Sequence, residues 1–80
     1  MISTMNVLHN SIADVLTEYL GPTAERFLDR QINFHLSKPP DELQKADIPV
    51  LVNWLKISMG ILTENKGAIA ECIRRIEALE

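Results

Sequence analysis

Cysteine and histidine are almost absent from this chain, which holds one of the former and two of the latter in 80 residues. A lone Cys72 cannot close an intramolecular disulfide, so it reads as a reduced, buried thiol that packs like a small hydrophobe. His9 and His35 fall in different helical segments, with no adjacent cysteine and no H-E-x-x-H arrangement, so no metal site is predicted. Glycine is equally sparse. Gly21, Gly60 and Gly67 stand alone, and no G-x-G or G-K-[ST] run is available to lay backbone amides against a phosphate. No elbow or family signature surrounds Cys72 or any serine, so neither catalysis nor a cofactor is expected.

An excess of positive charge is also missing. The formal net charge is −3, which disfavours a general field for nucleic acid, because binding by counterion release needs Lys and Arg massed against phosphates. The first basic residue is Arg26, so no positive region precedes an early apolar run, and a cytoplasmic protein without a secretory leader is expected. Long hydrophobic runs are lacking too. The most apolar segment, Ile48 to Leu62, is shorter than the roughly 20 residues a membrane crossing requires and carries Pro49, Asn53 and Lys56.

What is present is the composition of a folded protein: 46% hydrophobic and 24% charged residues, with no low-complexity tract or internal repeat. Residues 1–80 are expected to form one helical domain. A chain of this size buries only about 60% of the surface of its unfolded state, which makes self-association a natural source of further burial.

Apolar spacing of three and four along the chain predicts an all-α fold, a compact bundle of about four short helices. The first helix carries Met5, Leu8, Ile12, Val15, Leu16, Tyr19 and Leu20, with Ser3 or Thr4 as cap, and stops at Gly21-Pro22. A second leaves at once from Pro22 with Ala24, Phe27, Leu28, Ile32 and Leu36. The Ser37 to Pro40 segment breaks it, since adjacent prolines force the residues before them into extended conformations. A turn at Asp41 to Lys45 would then drop Leu43 onto the core. Asp47 is the expected cap of helix three, with Pro49 in its first turn. Helix three is apolar around most of its circumference, from Ile48 through Trp54 and Met59 to Leu62, and is therefore expected to be central and buried on more than one face. Thr63 and Glu64 are expected to start helix four, whose stripe is Ala68, Ile69, Cys72, Ile73, Ile76 and Leu79, with Glu71 and Arg75 paired locally on its outer face.

The functional expectation is a small, non-enzymatic interaction or regulatory module that binds another protein or forms a homodimer. Trp54 and Met59 of helix three, with Ile69 and Ile76 of helix four, are its candidate sticky surface, because aromatic residues and methionine are enriched where binding energy concentrates. Gly60 weakens a helix interior by about 1 kcal/mol relative to alanine unless a close approach of another helix needs the space. The alternative is a helix-turn-helix regulator reading nucleic acid with Arg26, Arg30, Gln31, Asn33 and Lys38 on the polar face of helix two. Glu25 and Asp29 interleave with those arginines and count against it. His35 suits a helix C-terminus, where a protonated imidazole meets the dipole favourably, or a pH-sensitive contact.

Overall fold

A computed structural model describes residues 6–79, and those residues are mostly helical, with no strand among them. Three helices of twelve to fifteen residues dominate: α1 (Val7–Leu20), α3 (Ile48–Leu62) and α4 (Lys66–Glu77). A shorter α2 (Ala24–Gln31) passes directly into a π-helical turn, Ile32–Leu36. Four comparable rods therefore describe the molecule only roughly.

Local chemistry explains where each element begins and ends. Asn6 caps α1, its Oδ1 accepting from the His9 amide at 3.2 Å. The same side chain donates to the carbonyls of Asp41 and Leu43 at 3.1 and 2.7 Å, tying the turn after the prolines to the start of α1. Ser3 and Thr4, the caps expected from the sequence, lie outside the described residues. α1 ends at Gly21, whose φ of +73° is open to glycine alone at low cost, and whose amide donates to the Thr17 carbonyl. Pro22 then sits in a short 3₁₀ turn, Gly21–Thr23, so α2 starts one turn later than the proline alone suggests. The π-turn closes at Ser37, which takes a left-handed conformation with φ +56°.

Two expected caps are corrected. Asp47 precedes α3 but makes no side-chain bond to its amides. Its carboxylate turns back to accept from the Gln44 amide at 2.9 Å and from Lys38 Nζ at 2.8 Å, because a 3₁₀ turn, Lys45–Asp47, has already carried the chain into the helix. Thr63 terminates α3 instead of opening α4, its amide donating to the Met59 carbonyl at 2.9 Å. Asn65 caps α4 by accepting from the Ala68 amide at 3.0 Å, and Thr63 Oγ1 accepts from the Asn65 amide at 3.1 Å, which shapes the linker.

One core joins residues from Ile12 to Ile76, with Leu43 delivered to it by the turn at Pro40–Glu42. Its radius of gyration, 11.8 Å, matches the roughly 11.6 Å of a compact chain of this length. α1 packs on α2 and α4, while α3 packs on α4 and on the π-turn after α2. The expectation of a central third helix is corrected here. Ile48, Leu51, Val52, Leu55 and Met59 form one buried stripe, and the opposite side of α3 faces outward. Apolar residues around a whole circumference require enclosure only if the chain has enough helices to supply it, and this one does not.

Polar pairs lock the helices together. His9, which shares the buried stripe of α1 with Ile12 and Leu16, places Nε2 at 2.6 Å from Asp29 Oδ1 on α2. Arg75 does not pair with Glu71 as its spacing suggests. Its guanidinium forks onto Glu18 of α1 at 2.7 and 2.9 Å, and Glu71 accepts instead from Tyr19 Oη at 2.6 Å. The hydrogen bond from Arg75 holds the Glu18 carboxyl below its ordinary range, and the bond to Glu71 pushes the Tyr19 phenol up.

Candidate interaction surface

α2 and its π-turn run antiparallel to α3 in a regular register. Phe27 and Leu62 line one cavity, Ser58 Oγ donates to Gln31 Oε1 at 2.9 Å, and the His35 ring stacks on Trp54 with centroids 3.8 Å apart and planes 6° from parallel. Each step advances four residues on both elements, so these contacts cover one edge of α3. The Lys38–Asp47 pair closes the far end.

Beyond that edge α3 has no neighbour among the described residues. Val50 is 49% exposed, Ile57 52% and Ile61 82%, and Trp54 is half-buried beside them under His35. Spacings of four, three and four align Val50, Trp54, Ile57 and Ile61 in a second stripe, opposite the buried one. Asn53, Ser58 and Gly60 flank it. Lys56, the only charged residue between Ile48 and Leu62, falls toward the Val52 side. A solvated outer face is normally charged, as those of α1 and α4 are with Asp14, Glu18, Glu71 and Arg74 exposed. Gly60 is exposed, and a Cβ built on it would meet nothing within 4 Å. No close approach inside the chain uses the missing side chain.

The residues expected on a sticky surface separate. Trp54 reaches the outer stripe, whereas Met59, Ile69 and Ile76 are buried in the core. The rule that favoured methionine and isoleucine at interfaces applies equally to a core, and spacing alone does not choose which apolar stripe of a helix turns inward. Val50, Ile57 and Ile61 were the informative residues. Their signal was present in the scarcity of charge along α3, where Lys56 stands alone.

The alternative nucleic-acid face separates as well. Arg26, Arg30 and Asn33 are exposed, but Gln31 is buried and bonded to Ser58, and Lys38 is committed to Asp47. Gln31 lies inside because α2 rolls its Leu28–Gln31–Ile32 face onto α3. Arg26 and Arg30 instead rim a cavity of about 210 Å³ with Leu20, Thr23, Phe27 and Leu62. A neighbouring cavity of about 400 Å³ shares Leu20, Thr23 and Leu62 and continues to Met59 and Ile69. Its polar groups already have partners: Tyr19 with Glu71, Thr63 with the Asn65 amide, Asn65 with the Ala68 amide, and Thr23 with the Leu20 carbonyl at 3.3 Å. A specific small-molecule pocket needs convergent polar groups free to orient the ligand.

No group of three or more histidine, cysteine, aspartate or glutamate side chains converges among the described residues. Cys72 is fully buried, and desolvation pushes its thiol up to about 11, far from the thiolate form a nucleophile needs. No helix among the described residues is long and apolar enough to cross a membrane. Comparison with protein-family models, curated proteins and solved structures found no match.

Proposed function

We propose that this chain is a non-catalytic helical interaction module of the cytoplasm that binds protein, in the first instance its own second copy, through the outer face of α3. The observation that supports this reading is the uncharged second stripe of α3, with Val50, Ile57 and Ile61 exposed and Trp54 half-buried, opposite a complete core stripe. The overall surface, 4948 Å², is close to the roughly 4,850 Å² expected for a monomer of this mass, so the reading rests on the character of one face and not on an expanded shape. Trp54 sits at the edge of that face and is the only tryptophan, so its emission reports on the surface directly.

Sedimentation equilibrium from micromolar to submillimolar concentration tests the reading, together with pull-down on the Ile57→Lys chain as control. The expected result is reversible association lost on that substitution, with helicity unchanged by circular dichroism. A chain that remains monomeric throughout and captures no protein that the Ile57→Lys chain fails to capture would overturn it. The nucleic-acid reading has lost Gln31 and Lys38 from its five-residue face, and an electrophoretic shift abolished by Arg26→Ala with Arg30→Ala would be needed to restore it.

A further inference from the structure

We propose that the two adjoining cavities at the end of the bundle bind a linear aliphatic carboxylate, its tail over Met59 and Ile69 and its head between Arg26 and Arg30. The site is separate from the outer face of α3, since Val50, Trp54, Ile57 and Ile61 line neither cavity.

The larger cavity fits the tail. It holds about 400 Å³ where α1 and α3 stop and α4 begins, and Met59, Ala68 and Ile69 give it an apolar wall. Its hydroxyl and amide groups already have partners within the chain, so nothing there is left to orient a polar molecule. An aliphatic chain needs no such group, because burial of apolar surface is favourable without regard to direction. Taking a methylene as similar in volume to a water, about 30 Å³ in the liquid, the cavity holds on the order of ten of them. Leu20, Thr23 and Leu62 border this cavity and the smaller one alike, and Leu62 is 59% exposed at the end of α3, so a chain passes from one to the other over its side chain.

The smaller cavity supplies the anchor. Thr23, Arg26, Phe27 and Arg30 follow the three-and-four spacing of a single helix face, and that face is the α2 wall of the cavity of about 210 Å³. Two like charges four residues apart repel each other, and an anion seated between them removes that cost. Among the described residues no ion pair joins either arginine to an acid: Asp29 is engaged by His9 and Glu18 by Arg75, while Glu25 lines neither cavity. A guanidinium matches a carboxylate through two parallel N–H···O bonds. Charge also sets the direction. At the opposite end of the larger cavity Tyr19 Oη donates to Glu71, and a carboxylate placed there would meet a charge of its own sign.

Titration of the full chain with decanoate, below its micellar concentration, tests the site, with decanol as the tail-only probe and acetate as the head-only probe. Arg26→Gln with Arg30→Gln removes the anchor at two exposed positions, and Ala68→Leu fills the tail cavity without emptying the core; circular dichroism checks that each variant keeps its helices. The expected result is saturable binding of decanoate, weakened about tenfold or more by either variant, as loss of a charge-assisted hydrogen bond or of buried methylenes implies. Decanol binding should fall with Ala68→Leu and be indifferent to the glutamine pair, and acetate should not bind measurably. Methyl resonances of Met59 and Ile69 should shift on adding decanoate, and those of Val50 and Ile57 should not. Absence of saturable binding, or equal affinity in the double glutamine variant, would overturn the proposal. Shifts concentrated on Val50 and Ile57 would overturn it too, by assigning the ligand to the outer face of α3.

Discussion

Replacing Gly60 with alanine should stabilise the chain. Glycine inside a helix is less favourable than alanine by about 0.8 to 1.0 kcal/mol, because it loses more backbone freedom on folding. That gain is realised only where the new Cβ meets no obstacle, and at Gly60 nothing stands within 4 Å. For a domain of 60 to 100 residues, 1 kcal/mol raises the melting temperature by about 4 to 8 °C. The assay is thermal and urea unfolding of the dilute chain, at a concentration where sedimentation shows only monomer. An increase of that size there is the expected result. A dilute monomer that is no more stable than the unaltered chain would refute the claim that this position faces open space within the chain.

Three other outcomes follow from the geometry. Ser58→Ala removes the hydroxyl that donates to the buried Gln31 amide oxygen, and should cost about 1 to 2 kcal/mol by denaturant unfolding, most of it recovered when Gln31→Leu is added. Cys72, buried and with its thiol pushed up to about 11, should resist aromatic disulfide reagents at neutral pH in the native chain and react promptly in urea; fast native labelling would contradict its place in the core. Asp47 is held below the ordinary carboxylate range, first by the hydrogen bond from Lys38, so its contribution is complete above the unfolded carboxyl pKa and disappears as pH falls through the lower folded value. Asp47→Asn should therefore be less stable than the unaltered chain at pH 7, with the gap closing in strong acid; a gap that is constant with pH would show that the ion pair is not its source.

Residue order alone determined the helical class and the places where the helices lie, because three-and-four spacing, Gly21-Pro22 and the paired prolines act within a few residues of themselves. Even there the caps were exchanged for near neighbours. Asn65 does the work assigned to Thr63, because several adjacent polar residues can each satisfy an open amide. Helix spacing could not decide which of two apolar stripes on α3 enters the core, for Leu51–Leu55–Met59 and Val50–Trp54–Ile57 read alike along the chain. Packing against α4 and the π-turn after α2 buried the first and left the second outside. The same holds for the polar pairs. His9 with Asp29, Gln31 with Ser58 and Arg75 with Glu18 join residues far apart in sequence, and a polar residue on an apolar stripe announces only that it needs a partner. Which partner it receives depends on how the helices are turned against one another, and that is settled by the sum of all core contacts and by no single segment.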